Sequence, residues 1–171
     1  EYGLVETVDL VRCLEEVSGK NFDEWMDQWI YRGGYPMLEV GYQWVSVSNM
    51  AEVTIKQTQK AEKKDEELLF KLPLKIEFYY YRDSEKFPLE IKNKEEKFCF
   101  HLRSKPLFFR LDPDYECPAK KVKLEVSRSL LHEQLKRDKD PIGRIEAAQS
   151  LVAKVSQADI KVLSQGLKKE T

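Results

Sequence analysis

The chain has 171 residues, which is enough for one domain of ordinary size or for a small domain with attached segments. Its composition, 42% hydrophobic and 35% charged, is typical of a folded globular chain and excludes an intrinsically disordered one. The 29 basic and 30 acidic residues leave a net charge of -1, so the sequence has no global basic field that would indicate a nucleic-acid partner.

Signals for cellular location are sparse. No run of about 18 apolar residues occurs, so we expect no membrane-spanning segment and no membrane partner. The chain starts with Glu1 rather than Met and shows no signal peptide, which predicts a start that is internal to a longer protein. Three widely spaced cysteines, Cys13, Cys99 and Cys117, favour reduced thiols and a cytoplasmic location. We expect Cys13 and Cys99 to be packing residues.

Residues 1–34 predict a pair of helices. Thr7 can cap a first helix, which Gly19 ends. Asn21 opens a second helix with Glu24 three residues later, as in a capping box, and Gly34 stops it. A short connection between two amphipathic helices implies an antiparallel pair. The apolar stripes are Val8, Leu10, Val11, Leu14 and Val17, then Phe22, Trp25, Met26, Trp29 and Ile30.

From residue 35 to residue 126 apolar and polar residues alternate with a period of two. About seven such runs, separated by turn signals, predict an antiparallel β-sandwich of the Ig-like or fibronectin-like kind, with two sheets that share one core. The charged run at residues 60–67 predicts a solvated loop. We expect the following charged residues on the outer faces: Lys75, Glu77, Lys92, Lys97, Arg110, Lys121 and Lys123.

Helical periodicity returns in residues 127–171. Leu131 and Leu135 lie on one stripe, Pro141 suits a first helical turn, and Ser156 can cap a third helix. Ile142 and the apolar residues after it continue the second of these helices. Short paired helices predict the start of an α-solenoid of the HEAT-like kind. Because such an array needs about three repeats to be stable, we expect the chain to continue beyond residue 171.

Three segments carry patterns that occur together in one known family. Residues 138–148, with Asp138, Asp140 and Arg144, are similar to the pattern "D-x-D-x-x-x-R-(I/A)-x-A-A". Residues 53–57 are similar to "V-x-(I/L)-x-Q". Residues 7–40 are similar to "W-x-x-Q-x-G-Y-P-x-(V/L)-x-V" and the helix before it, with Arg32 in place of Gln, through Leu14, Glu15, Val17, Ser18, Gly19, Trp29, Gly34, Tyr35, Pro36, Leu38 and Val40. Together the segments resemble the M1 (gluzincin) family of zinc aminopeptidases, in which the first pattern opens the helical domain and the second is a strand.

This resemblance covers nearly the whole chain and implies a domain order. Residues 1–34 would be the helix pair that ends the catalytic domain, residues 35–126 the β-sandwich linking domain, and residues 127–171 the start of the helical C-terminal domain. The parent would be a zinc-dependent hydrolase that removes N-terminal residues from peptides. The partners of this chain would be the upstream catalytic domain and the downstream helical domain of the same parent, and the parent's peptide substrate.

The chemistry of the family is absent from the sequence itself. An M1 enzyme needs two histidines four apart around a glutamate, and a further glutamate as third zinc ligand. The two histidines here, His101 and His132, fall in a strand pattern and a helix pattern far apart in the sequence. Residues 78–81 with Arg82 could stack bases, but their alternation indicates half core and half surface. We therefore predict no catalytic, cofactor-binding or metal-binding residues, with zinc only in the parent, and no nucleic-acid partner.

Two alternatives remain open. A catalytically inactive relative has the same architecture, as in the large promoter-binding subunit of a general transcription factor, where the peptidase body is an interaction scaffold. Only the zinc motif upstream of Glu1 separates this reading from the enzyme. The second alternative is a free-standing Ig-like binding module. It would leave the stripe of Trp25, Trp29 and Ile30 without a partner.

Overall fold

A computed structural model describes residues 3–60, 68–117, 121–152, 155–156, 159–160 and 162–164. The chain divides into two compact units, residues 1–35 and residues 36–171. Most of the predicted charged loop, residues 61–67, and most of the predicted third helix of the C-terminal segment lie outside the described residues. No described helix is long and apolar enough to cross a membrane.

The first unit begins with helix α1, Thr7–Ser18. The predicted end is confirmed, because Gly19 adopts a left-handed conformation with φ of 67° and its N–H donates to the Glu15 carbonyl at 2.8 Å. The predicted cap is one residue out of place. Thr7 is already helical, and Glu6 is the capping residue, with its N–H donating to the Asp9 carboxylate at 2.9 Å.

The second helix departs further from its prediction. Helix α2 spans only Asp23–Met26 and continues as a π-helical turn over Asp27–Tyr31. The predicted capping box at Asn21 is wrong: its Oδ1 accepts the N–H of Asp23 at 3.0 Å, in the short side-chain turn that asparagine favours. The helical turns end at Tyr31, before the glycines, and Gly34 has a φ of 91°.

Within the described residues of the second unit, seven strands form two sheets, as the alternation predicted. Their bounds are β1 Met37–Val45, β2 Met50–Gln57, β3 Leu72–Tyr79, β4 Ser84–Ile91, β5 Glu95–His101, β6 Phe108–Leu111 and β7 Lys121–Glu125. The larger sheet has the order β5-β2-β1-β7 and the smaller one β4-β3-β6.

The sheets are rich in antiparallel pairs, but they are not purely antiparallel. Strand β7 pairs parallel to β1, with Leu38 opposite Val122. The chain leaves β6 in the smaller sheet and returns to the larger one before β7. It therefore enters beside β1 by a crossover rather than by a hairpin.

Aromatic contacts join the two sheets across a shared core. The rings of Phe78 on β3 and Phe100 on β5 have centroids 5.3 Å apart, and those of Tyr42 on β1 and Phe109 on β6 are 5.1 Å apart. These contacts give a β-sandwich-like arrangement. Fully buried core side chains include Leu38, Val40, Val53, Ile55, Leu72, Ile76, Phe78 and Ile91.

In the described part of the chain, the sheets are followed by helices α3, Arg128–Arg137, and α4, Pro141–Val152. Their contact forms a second cluster of Leu131, Leu135, Ala147 and Leu151, against which Leu124 of β7 packs. The predicted stripe of α4 is partly wrong. Its buried face consists of Gly143, Ala147 and Leu151, spaced four apart, whereas Ile142 and Ile145 are half-exposed.

Three burial predictions are wrong. Cys13 and Cys99 are exposed rather than packed. Cys99 points outward because Phe100 is directed into the core, and successive strand side chains point to opposite faces. Arg110, expected on an outer face, is only 6% exposed. The buried position of Arg110 leads to the candidate site.

Candidate functional site

Arg110 is a buried cation on a strand that is covered on both faces. All four residues of β6 are buried, unlike those of β2 and β3, where burial alternates. Helix α3 and the turn that joins it to α4 pack beside β6 and place Asp138 and Asp140 against the guanidinium. A face that would otherwise meet water is thereby closed, and its charge requires compensation.

The guanidinium of Arg110 contacts three polar side chains. Its Nη2 lies 2.8 Å from Asp140 Oδ2, and its Nε lies 3.6 Å from Asp138 Oδ2. Nη2 also donates to the hydroxyl of Tyr115, and that hydroxyl donates to Asp140 Oδ2 at 2.7 Å. These four residues, together with Gly143, are called the Arg110 junction below. It joins β6, the loop after β6 and the α3–α4 turn.

The two aspartates also shape the turn on which they lie. Asp138 Oδ1 accepts the N–H of Asp140 at 3.0 Å, and Asp140 Oδ1 accepts the N–H of Ile142 at 2.9 Å, which caps α4. Arg144 donates from Nη1 to the carbonyl oxygens of Asp138 and Lys139 at 2.9 and 3.1 Å. The charged side chains of residues 138–148 thus stabilise the turn through hydrogen bonds to its backbone. The two aspartates also contact Arg110 through their Oδ2 atoms.

Gly143 completes the junction because it has no side chain. A Cβ at this position would overlap Asp138 Oδ2 and lie 3.1 Å from the Arg110 guanidinium carbon. Its carbonyl accepts the side-chain amide of buried Gln134 at 3.0 Å, which ties α4 to α3. A glycine within a helical pattern is the one sequence signal that could have indicated this close approach.

Burial and pairing shift the titration of the junction. Burial raises the pKa of Asp138 above its usual range. Burial also acts on Asp140, but hydrogen bonds from Tyr115 and from the N–H of Ile142, and the charge of Arg110, lower its pKa. Burial and the hydrogen bond to Asp140 raise the pKa of Tyr115 to about 12. Burial opposes the charge on Arg110, yet the neighbouring aspartates outweigh it and raise its pKa.

The ion pair between Arg110 and Asp138 has incomplete hydrogen bonding. Arg110 Nε and Asp138 Oδ2 are both buried, and neither has a hydrogen-bond partner within the described ranges. The guanidinium of Arg110 thus faces two carboxylates. Asp140 is well hydrogen-bonded, whereas Asp138 is held to Arg110 mainly by charge. A buried pair of this kind fixes geometry more than it adds stability, because both groups have lost their water.

A second buried carboxylate lies at the end of the helices. Asp159 is fully buried, accepts from Arg128 Nε at 3.1 Å, and lies 2.6 Å from His132 Nε2. Ser156 donates its N–H to Asp159 at 2.6 Å, the kind of contact expected of the predicted cap, whose helix lies mostly outside the described residues. The hydrogen bonds from Arg128 and Ser156 lower the pKa of Asp159. Within the described part of the chain, Ser156 and His132 both bond to Asp159 and not to each other, so this trio lacks an activated nucleophile.

The described residues do not fit a zinc site. His101 is exposed on β5, and His132 is engaged with Asp159 in α3. Within the described ranges, no group of three His, Cys, Asp or Glu side chains is arranged to hold a metal ion. In the aromatic segment, Phe78 is buried and Tyr81 is 75% exposed, as the alternation indicated.

Comparison with known proteins identifies a fold. No family model matches the chain, and no curated protein matches it either. The crystal structure of Legionella pneumophila aminopeptidase A in complex with aspartic acid is similar, with a TM-score of 0.69 and 19% sequence identity over 94% of this chain. The chain spans about a fifth of that protein, 20% of its length. This chain therefore has the fold of a part of that aminopeptidase.

Proposed function

We propose that this chain is the non-catalytic linking portion of a zinc-dependent M1 aminopeptidase, a hydrolase that removes N-terminal residues from peptides. The structural likeness to a fifth of an aminopeptidase supports this proposal, and so do the family-like segments at residues 7–40, 53–57 and 138–148. In this reading residues 1–34 end the catalytic domain, the sandwich is the Ig-like linking domain, and residues 127–171 begin the helical domain.

The observation that carries the proposal is the Arg110 junction. A linking domain must hold its neighbour at a fixed distance and angle. Buried charges suit that task because they are satisfied in only one arrangement. Here strand β6 of the sandwich and the α3–α4 turn share the same buried charge cluster, so a rotation of the helices would separate Arg110 from Asp138 and Asp140.

A second support is the outer face of α4. Ile142, Ile145 and Val152 are 50%, 54% and 58% exposed, while the opposite face of the helix is buried. In a solenoid each helical unit covers the apolar face of its neighbour. An exposed face of this kind suits a helix on which further HEAT-like helices stack.

The proposal is tested on the product of the complete gene. We expect that protein to carry a His-Glu-x-x-His motif upstream of Glu1 and to hydrolyse amino-acid anilides in a zinc-dependent manner. We expect residues 1–171 alone to show no turnover, with or without added zinc. Zinc-dependent turnover by residues 1–171 would overturn the assignment. A complete protein without the motif and without turnover would instead favour the inactive scaffold.

A further inference from the structure

A groove of about 600 Å³ lies beside the Arg110 junction. It runs between the end of β3, the turn into β4, and the turn between α3 and α4. Four aromatic side chains line it: Tyr79, Tyr80, Tyr81 and Phe108. Its volume falls within the range of roughly 300–1,000 Å³ that is typical of binding clefts.

The groove is cationic, although the chain as a whole is not. Its lining has five cationic side chains and three carboxylates, which leaves +2, whereas the chain carries -1. The three carboxylates are already engaged, Asp83 with Arg103, and Asp138 and Asp140 with Arg110. Arg137 is paired with Glu133 at the edge of the groove. The positive charge that can attract a ligand therefore lies on the remaining cations of the rim.

Two of these cations are suited to meet a ligand. Arg82 and Lys139 are exposed, and neither side chain forms an ion pair with another residue in the described part of the chain. They belong to different segments, the β3–β4 turn and the α3–α4 turn. Both residues line the groove.

The aromatic residues favour a peptide over single-stranded nucleic acid. The guanidinium carbon of Arg103 lies 4.1 Å from the Tyr80 ring centroid, and that of Arg137 lies 4.7 Å from the Tyr81 ring centroid. Tyr79 stacks on Phe108, with centroids 4.5 Å apart. One face of each ring is therefore already covered, which leaves less surface for the stacking on which sequence-independent base binding depends.

We propose that this groove docks an acidic, extended peptide segment of a partner protein. Carboxylates of the segment pair with Arg82 and Lys139, and its non-polar stems lie against the exposed ring of Tyr81. The site is separate from any zinc chemistry, and the inference holds whether or not the complete protein is a peptidase.

The test is fluorescence anisotropy of this chain with three labelled probes: an oligoglutamate peptide, an oligoglutamine peptide of equal length, and oligothymidylate. We expect saturable binding of oligoglutamate only, weakened by added salt. The double variant Arg82→Glu/Lys139→Glu should weaken binding by about ten-fold, because each change replaces an attraction with a repulsion. The matched control is Lys71→Glu/Lys92→Glu, which carries the same charge change at the opposite end of the β3–β4 pair.

Four outcomes would overturn the proposal: no saturable binding of oligoglutamate, an equal loss in the control, tighter binding of oligothymidylate, or self-association that the groove variant abolishes. Circular dichroism checks that both double variants are folded. If the groove variant is unfolded, Arg82→Gln/Lys139→Gln takes its place, and unchanged binding by that variant would contradict the proposal equally.

Discussion

Replacing Arg110 with leucine is the sharpest perturbation of the junction. The side chain of Arg110 is 5% exposed, and those of Asp138 and Asp140 are 2% and 26% exposed. Arg110→Leu keeps an apolar side chain at the position but removes the only cation that faces Asp138 in the described junction. Asp138 is then a buried carboxylate without a counter-charge.

The expected loss of stability is large. Removing one partner of a buried ion pair destabilises a protein by about 3–5 kcal/mol. The exposed pair of Arg137 and Glu133, one helical turn apart at 2.6 Å, supplies a matched control. Because exposed pairs contribute less than about 1 kcal/mol, Arg137→Leu should have a much smaller effect.

The assay is urea denaturation followed by circular dichroism, repeated from pH 7 to pH 4. Arg110 lowers the pKa of Asp138, which burial raises, so removing Arg110 raises that pKa further. Protonation of Asp138 then removes the uncompensated charge from the variant. The difference in free energy of unfolding between the variant and the native chain should therefore shrink as pH falls. The reasoning would be refuted if Arg110→Leu lowered the free energy of unfolding no more than Arg137→Leu does, or if its effect did not depend on pH.

Three further predictions concern Gly143 and Tyr115 of the junction and the separate buried carboxylate of Asp159. Gly143→Ala should cost about 1–3 kcal/mol in a denaturation experiment because its Cβ would overlap Asp138, whereas Gly41→Ala, whose Cβ would lie 3.9 Å from the nearest atom, should change stability by less than about 1 kcal/mol. The pKa of Tyr115 is raised to about 12 from an ordinary 10.0, so its contribution to stability is complete below pH 10.0 and is lost as pH rises towards 12. Tyr115→Phe should therefore flatten the fall in stability between those pH values in a denaturation series. The lowered pKa of Asp159 means that its contribution to stability is present above its ordinary pKa of 3.8 and is lost as pH falls below that value. Asp159→Asn should therefore lower the free energy of unfolding at pH 7 and reduce the further loss of stability in acid. An unchanged loss of stability in acid would contradict this assignment.

The strands could be predicted because a two-residue alternation is a local signal. Leu74, Ile76 and Phe78 follow one another at that spacing, and all three are buried in β3. The direction of a strand leaves no such trace. The run around Leu124 predicts a strand equally well in either orientation, so its parallel pairing with β1 followed only from the connection between sheets.

The Arg110 junction could not be predicted, because it depends on contacts between distant segments. Alternation around Phe109 and Leu111 predicts Arg110 on the outer face, and only the α3–α4 turn, nearly thirty residues later, converts that face into an interior one. The α3–α4 turn itself was easier to predict from the sequence. The resemblance of residues 138–148 to the M1 family singled out Asp138, Asp140 and Arg144, and the structure shows each of them hydrogen-bonded within the turn.

The central claim is that the Arg110 junction holds the helices at one fixed position on the sandwich. A direct test measures the distance between spin labels on Cys99 of β5 and on Ile145→Cys of α4, both exposed, with Cys13 and Cys117 replaced by serine. We predict one narrow distance distribution in the native background and with Arg137→Leu, and a broad or shifted one with Arg110→Leu. An equally narrow and unshifted distribution with Arg110→Leu would contradict the claim, as would a broad distribution in the native background.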